Sequence, residues 1–266
     1  MKRYFALMGL TVMVCALAPA QENTGQRVVV PTRASTRPRL VKISLLHAGI
    51  TVKTHAAKEV IVESSAPASR RRDERTPDGL RRIDIPIGGF SVEEEDNVIT
   101  IHGQASFGGA LVVTVPPDTS VQAKSNNGGI SIDGVRGEIE VNSANGKIEL
   151  TNVAGTVVAE TNNGTIRATL DRVDQSKPLS FSSLNGSIEV TIPADTKANL
   201  KMRAFHGSIW TDFDMNVTGN KPQTTSGGNN AKFEVKFDRT MYGTINGGGV
   251  EASFSTLNGR IVIKKK

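Results

Sequence analysis

Residues 125–168 read SNNGGISIDGVRGEIEVNSANGKIELTNVAGTVVAETNNGTIRA, and a glycine falls at every ninth position from Gly128 onward. These glycines are Gly128, Gly137, Gly146, Gly155 and Gly164. Each is followed by a short alternation of apolar and polar residues. A fixed short period is typical of repeat proteins, whose units bury a core only by stacking on their neighbours. The stretch therefore predicts a solenoid, and the rest of the chain is interpreted as its entry, continuation and closure.

The alternation after each glycine indicates which side chains face the core. The second and fourth positions are apolar or small, as in Ile148 and Leu150, and the first and third are mostly polar, as in Lys147 and Glu149. A period of two buries one face of a strand and leaves the other in water. Each unit is therefore predicted to be a strand of about five residues followed by a corner.

Two kinds of corner alternate, so the full repeat spans two glycines. Asparagine precedes every second glycine, whereas Val135 and Val153 stand near the glycines between them. We therefore expect coils of about 18 residues with two strands each. Asparagine and glycine accept the positive φ of a sharp corner, and stacked asparagines can form a hydrogen-bonded ladder. The predicted structural corner residues are Asn127, Gly128, Asn145, Gly146, Asn163, Gly164, Asn185, Gly186, Asn258 and Gly259.

An antiparallel meander is the competing interpretation, because Asn-Gly between alternating strands is also a strong hairpin signal. The even spacing and the two apolar positions per strand fit a narrow stacked core better. Both interpretations give an all-β fold, since Gly, Asn, Ser, Thr, Val and Ile are plentiful and aromatic residues few. Extra residues enter the second kind of corner at 171–177 and 193–197, so insertions gather along one edge of the stack.

The first 20 residues have the pattern of a secretory signal peptide. Lys2 and Arg3 precede an apolar run over 4–17, and small residues follow at 18–20. The run is shorter than the about 20 residues of a membrane-spanning helix, and no later segment approaches that length. Cys15, the only cysteine, lies in this run. A lipoprotein signal would lipidate Cys15, but the preceding residue is a valine where that signal has a small residue.

After cleavage we expect an exported protein of the periplasm, the cell surface or the medium, with no transmembrane segment. Residues 21–39 are predicted to form a flexible basic leader, and 40–266 a single solenoid domain. Positive charge is concentrated early, since 21–82 contains 13 Lys/Arg and 6 Asp/Glu whereas 83–266 contains 17 and 20. Such basic regions usually form solvated loops. The alternative is that this one attaches the protein to an acidic envelope polymer or lipid. Nucleic acid is not expected as a partner, because no recognition helix or aromatic-rich strand is present.

A family resemblance rests on three segments. The strand 111–116, the Asn-Gly-x-Ile-x-Ile/Val coils and the terminal strand 257–263 resemble a bacterial family of unknown function whose members are named as candidate adhesins. The resemblance runs from about residue 40 to 264, and its motifs are structural glycines and asparagines. It implies a right-handed, single-stranded β-helix-like stack on an exported or envelope-attached protein, and it supplies no catalytic residues. The segment 213–243 departs from the pattern: 227–230 is interpreted as a loop and 232–237 as a strand.

Enzymatic chemistry has little support in the sequence. Polysaccharide lyases and hydrolases need clustered acidic and basic side chains, and Asp212 and Asp214 are the nearest such pair. A turn or cap role is favoured for them because they adjoin a loop. The four histidines lack metal-ligand spacing, and neither a nucleophile elbow nor a phosphate loop is present. We therefore predict no catalytic residue, no cofactor and no metal.

Trp210 is the candidate ligand contact. It occupies an outward position after Gly207, and Arg203, Lys201 and Asp212 are close in sequence. An exposed tryptophan among these groups could stack on a sugar ring. The alternative is that the 213–243 excursion buries Trp210, because large aromatic side chains are usually mostly buried.

Three functions follow, in decreasing order of support. The first is a non-catalytic exported β-solenoid that binds a surface, glycan or protein as an adhesin-like protein. The second is a structural envelope module that assembles end to end. The three lysines of the tail 264–266 argue against it, because they would place positive charge on the terminal strand edge. The third is a carbohydrate-active β-helix enzyme.

Overall fold

The computed structural model describes residues 26–31, 37–64, 89–104, 107, 109–218, 223–225, 234–236 and 240–266. In these ranges the chain forms strands and turns and no helix. The strands are β1 Arg27–Val30, β2 Leu40–Leu45, β3 Ile50–Thr54, β4 Val60–Ser64, β5 Phe90–Glu95, β6 Val98–Gly103, β7 Leu111–Val115, β8 Ser120–Ser125, β9 Ile130–Asp133, β10 Ile139–Ser143, β11 Ile148–Gly155, β12 Val157–Asn163, β13 Ile166–Val173, β14 Leu179–Asn185, β15 Ile188–Ile192, β16 Ala198–His206, β17 Ile209–Thr211, β18 Asn216–Thr218, β19 Gln223–Thr225, β20 Glu234–Lys236, β21 Thr240–Ile245, β22 Val250–Asn258 and β23 Ile261–Lys265.

Two large sheets hold all but two of these strands, so the predicted all-β class is confirmed. The ten-stranded sheet has the order β1-β4-β7-β3-β9-β11-β13-β15-β23-β17, and the eleven-stranded sheet has the order β18-β21-β16-β22-β14-β12-β10-β8-β2-β6-β5. Through the repeat the chain alternates between the sheets, with β8, β10 and β12 in one and β9, β11 and β13 in the other. The result is a β-solenoid-like stack around one shared core.

Every strand pair within residues 128–168 is parallel. Ile139 lies beside Val157, its counterpart 18 residues later, and Ile130 lies beside Ile148 in the other sheet. The antiparallel meander is therefore wrong for this stretch. The sequence separation between paired residues widens after β13, where Ile166 pairs with Ile188. That widening follows from the extra residues expected at the second corner.

The core consists of the inward columns that parallel register creates. Isoleucines in equivalent positions stack from coil to coil, and Ile130, Ile148 and Ile166 are all buried. Near the C-terminal end of the stack, Phe181 and Phe254 occupy the same column with ring centroids 5.3 Å apart and planes 9° from parallel. Stacking like side chains fills a narrow core without voids.

The order of strands departs from the order of the sequence at both ends of the stack. β22 lies between β14 and β16, and β23 lies between β15 and β17. At the other end, β2 lies between β8 and β6. Lys264 and Lys265 thus belong to an interior strand and do not charge a sheet edge as expected, because β17 pairs with the outer side of β23.

The N-terminal leader is only partly as predicted. Residues 27–30 form β1, which pairs antiparallel with β4, and Val30 is buried. The prediction of a flexible segment from 21 to 39 is therefore wrong for 27–30, because Val30 has an apolar site to fill beside the first strands. The proposed signal peptide at 1–20 lies outside the described residues.

The first residues of the excursion near 213–243 pack against the core. Phe213 is buried, and Met215 packs against the same core and lies close to Gly243. β18 then joins β21 at the edge of the eleven-stranded sheet, and β19 and β20 form a separate antiparallel pair. β20 is the strand expected within 232–237, whereas the expected loop at 227–230 lies outside the described residues.

Candidate functional site

A column of asparagine side chains runs along one corner of the stack. The Nδ2 group of Asn145 donates to Oδ1 of Asn127 at 2.9 Å, and Asn163 donates to Asn145 at 2.8 Å. Asn185 and Asn258 continue the ladder at 2.8 and 2.7 Å. Each carboxamide thus bonds to its neighbour at the strand spacing, as the sequence suggested.

A second column, of buried hydroxyl groups, lies beneath the asparagines and was missed in the sequence. Ser143 Oγ donates to the carbonyl oxygen of Gly128 at 3.1 Å, and Ser183 Oγ donates to that of Gly164 at 3.1 Å. The members of this column are Ser125, Ser143, Thr161, Ser183 and Thr256. The signal was present, because a Ser or Thr stands two residues before each of the five asparagines.

The corner glycines are needed for close approach rather than for a special backbone angle. An added Cβ at Gly146 or Gly164 would come within 3.0 Å of a backbone carbonyl oxygen in the neighbouring coil. Neither they nor their asparagines are among the residues with positive φ, which include Asp96, Asn97 and Asn152. The positive-φ explanation was therefore wrong for these two corners, although the last corner glycine, Gly259, has a φ of 159°. Coils stack so closely here that any side chain on the glycine would separate them.

Trp210 lies on the outer face of the ten-stranded sheet, at its last strand. Its side chain is exposed, with a residue accessibility of 62%. The indole Nε1 donates to Ser208 Oγ at 2.8 Å, which fixes the orientation of the ring. In the parallel register Trp210 lies beside Val262 of β23, which is half-buried. The described part of the excursion leaves this tryptophan open to solvent.

A charged cluster occupies the same outer face, two strands from Trp210. Glu189 on β15 accepts hydrogen bonds from Arg260 at 3.0 Å and from Arg167 at 3.1 Å. These hydrogen bonds, first that of Arg260 and then that of Arg167, hold the pKa of Glu189 below its ordinary value. The sequence did not indicate this cluster, because Arg260 is 71 residues from Glu189.

The other residues grouped with Trp210 in the sequence are not brought to it. Lys201 and Arg203 belong to β16 in the eleven-stranded sheet, where both are exposed on the face away from the core. The chain turns a corner between Arg203 and Trp210, so the two side chains point from opposite sides of the stack. Asp212 is near Trp210 in the chain, but its Oδ1 accepts a hydrogen bond from the backbone N–H of Lys265 at 2.8 Å.

The remaining titratable groups show no arrangement typical of a catalytic or metal centre. Across the described ranges, no three His, Cys, Asp or Glu residues are placed to hold a metal ion. His206 contacts Phe205 edge-on with centroids 4.6 Å apart, and His47 Nδ1 is 3.1 Å from Asn127 Nδ2. No helix that could cross a membrane occurs in the described part of the chain.

A shallow groove of about 300 Å³ lies on the outer face of the eleven-stranded sheet near its N-terminal coils. Arg39 lies at one side of it, and Glu138 and Glu140 form part of its floor. Gln122 donates to Glu140 at 3.0 Å, so part of this polar floor is already paired. None of the predicted site residues lines the groove.

Comparison with known proteins agrees with this architecture. The model of the Toastrack family, DUF4097, matches residues 93–246, which is more than half of the chain. The chain belongs to the Toastrack family. The expectation of a family without an assigned activity is thereby confirmed at this level. No curated protein matches the chain.

One solved structure is similar to this chain. It is a candidate cell adhesion protein from Clostridium sporogenes, 12% identical, with a TM-score of 0.42 over 91% of this chain and 100% of that chain. Trp210 and Glu189 lie inside the matched Toastrack range, whereas Arg260 lies after it. The outer face around Trp210 therefore combines the Toastrack core with the last coil of this chain.

Proposed function

We propose that this chain is a non-catalytic, exported binding protein of the cell envelope, adhesin-like in role, whose ligand is a glycan or protein at a surface. In this proposal residues 1–20 are removed as a signal peptide, and one solenoid domain carries the ligand site. A right-handed winding with coils of about 18 residues is part of the same proposal. The contact residue is Trp210, on the outer face of the ten-stranded sheet.

The observation that carries the proposal is the exposed, oriented indole of Trp210. Large aromatic side chains are usually mostly buried, so an accessibility of 62% is a departure that needs a reason. The hydrogen bond to Ser208 satisfies the indole N–H and limits rotation of the ring. Such a ring presents its face for stacking at a low entropy cost.

The surroundings of Trp210 suit a sugar ring or a polar peptide. Val262 extends the apolar surface beside the indole, and Glu189 with its two arginines supplies donors and an acceptor farther along the face. The carboxylates here favour a binding role over a catalytic one, because Glu189 and Asp212 already accept hydrogen bonds within the protein.

End-to-end assembly is the second candidate, and three of the four sheet edges argue against it. β5 closes one edge of the eleven-stranded sheet and carries Glu93 and Glu95, both exposed. Charged side chains on an edge strand oppose pairing with another chain. At the opposite edge, β18 and β17 are only three residues long and offer little ladder to a second copy.

The test is a glycan and surface-protein binding screen with the exported protein, its Trp210→Ala variant and a Tyr242→Ala control. Tyr242 is also exposed but lies in β21 of the other sheet. We expect at least one ligand whose binding is lost in Trp210→Ala and kept in Tyr242→Ala. Because Trp210 is the only tryptophan, its fluorescence should shift when that ligand is added.

Two outcomes would overturn the proposal. Ligand binding that is equal in all three proteins would remove Trp210 from the site. Release of new reducing ends from a polysaccharide in the same screen would make the protein an enzyme, in agreement with the third interpretation of the sequence.

A further inference from the structure

Three exposed apolar side chains form a row on the outer face of the eleven-stranded sheet. Leu184, Leu257 and Phe205 have accessibilities of 47%, 38% and 36%. They lie on the consecutive strands β14, β22 and β16, each one residue before the aligned Asn185, Asn258 and His206. Adjacent strands are about 4.8 Å apart, so the three side chains are contiguous. We refer to Leu184, Leu257 and Phe205 as the apolar strip.

Two cations lie on the same face of the sheet, set back from the strip. Arg203 pairs in register with Ser255, and Lys201 pairs with Ser253. Neither cation forms an ion pair within the described ranges, and serines fill the neighbouring positions of β14 and β22. The nearest carboxylate in β22 is Glu251, at the opposite end of that strand from Leu257.

The N-terminal half of the same face differs in charge. A row here means the residues that lie in register across successive strands. In this half the row of Lys201 contains Lys42 and Glu140, and the row of Arg203 contains Lys124 and Glu160. Mixed charges of this kind are ordinary for a solvated sheet. In β14, β22 and β16 the corresponding positions hold only cations and serines, beside the apolar strip, and the next strand, β21, adds the uncharged residues Tyr242 and Thr240. This end of the face is therefore amphipathic and positive.

We propose that the C-terminal end of this face docks on an anionic phospholipid surface. Leu184, Leu257 and Phe205 enter the boundary between headgroups and acyl chains, and Lys201 and Arg203 contact lipid phosphates. Apolar side chains that protrude beside basic ones are the arrangement by which peripheral proteins bind anionic lipid. The strip borders the asparagine corner, so it lies where the stack turns and can meet a membrane without the broad faces blocking it.

A lipid surface fits this face better than a second copy of the chain does. A two-fold contact would place the strip of one copy against that of the other and bring the two pairs of cations close together. Like charges at an interface oppose association. An anionic bilayer, in contrast, satisfies Lys201 and Arg203 and covers the apolar strip at the same time.

The experiment measures sedimentation of the exported protein with vesicles of phosphatidylglycerol and phosphatidylcholine, and with vesicles of phosphatidylcholine alone. The apolar variant is Leu257→Ser/Phe205→Ser, with Leu46→Ser as its control. Leu46 is 39% exposed beside the same corner, but near the N-terminal end of the stack. The charge variant is Lys201→Gln/Arg203→Gln. Its control, Lys42→Gln/Lys124→Gln, changes two cations in the same two rows.

We expect binding to the anionic vesicles only, weakened by added salt. The charge variant should bind roughly 25-fold more weakly, at about fivefold for each cation. The apolar variant should also lose binding, while both controls bind as the unchanged protein does. Circular dichroism and the thermal midpoint should be unchanged in all variants, because every substituted side chain is exposed.

Four results would overturn the inference: no binding to anionic vesicles, equal binding to neutral vesicles, equal loss in variants and controls, or a dimer in light scattering that the apolar variant dissociates. Equal loss would assign the binding to the basic N-terminal region. The inference is independent of the proposed ligand site, because Trp210→Ala should still bind vesicles and the vesicle variants should still bind the ligand of Trp210.

Discussion

Replacing Gly146 with alanine tests whether the corner glycines serve close approach. The new Cβ would stand 2.2 Å from the carbonyl oxygen of Gly128, whereas ordinary contact begins at 3.4 Å. The two coils must therefore separate locally by about 1 Å. That shift would break the 3.1 Å bond from Ser143 Oγ to the same oxygen and the 2.9 Å bond between Asn145 and Asn127.

The expected cost follows from these losses. Overpacking costs about 1–3 kcal/mol, and each lost hydrogen bond adds about 0.5–1.5 kcal/mol where relaxation does not restore it. We expect Gly146→Ala to lower the free energy of unfolding by about 2–4 kcal/mol. At about 2–4 °C for each kcal/mol, the thermal midpoint should fall by roughly 5–15 °C.

Gly129→Ala is the matched control at the same corner. An added Cβ there would meet the carbonyl oxygen of Lys147 at 3.4 Å, which is an ordinary contact. Its unfolding free energy should change by less than about 1 kcal/mol, with a slight gain from the reduced entropy of the unfolded chain. Calorimetry and urea unfolding followed by circular dichroism measure both variants. A Gly146→Ala protein as stable as Gly129→Ala would refute the close-approach explanation.

Three further predictions concern the ladders and the charged cluster. Ser183→Ala should lower the unfolding free energy by about 0.5–1.5 kcal/mol in urea unfolding, because the part-buried carbonyl oxygen of Gly164 loses its side-chain donor. An unchanged midpoint would contradict this. Asn163→Ala breaks two hydrogen bonds of the asparagine ladder. Because this column is exposed, we expect the free energy of unfolding to fall by only about 1 kcal/mol. A fall as large as that of Gly146→Ala would mean that the ladder holds the coils together. Glu189→Gln should be less stable than the unchanged protein by up to about 1 kcal/mol near neutral pH. Since the pKa of Glu189 is lowered in the folded state, that difference should be present above the ordinary value of 4.5 and vanish as the pH falls through the lowered pKa; a difference that persists in thermal melts at the lowest pH would contradict it.

The central coils could be predicted from the sequence because their contacts repeat at a constant offset. Asn145 and Gly146 mark the corner, and alternation marks the buried face. The hydroxyl column was hidden because Ser143 is polar, although the period of two puts it in phase with the buried residues Ile139 and Val141. A small hydroxyl group at an inward position indicates a hydrogen bond to a buried carbonyl.

The surroundings of Trp210 could not be predicted in the same way. Nearness in sequence suggested Arg203, but a corner places that residue on another sheet. The actual neighbour, Val262, reaches Trp210 because β23 lies between β15 and β17, an order that a simple succession of coils does not give. Likewise, the pairing of β1 with β4 is antiparallel and lies outside the repeat. Contacts of this kind depend on tertiary packing, which local pattern does not encode.

The interior position of the last coil constrains when the molecule can be completed. β22 aligns Asn258 with Asn185, 73 residues earlier, and β23 separates β15 from β17. The middle coils can add one after another as the chain is synthesised, but the layer that joins β14–β15 to β16–β17 follows both of them in the sequence. A chain that stops before β22 would lack a layer between two others rather than a dispensable end. Completion of the stack is thus expected to wait for β22 and β23, which insert between coils formed earlier in the chain.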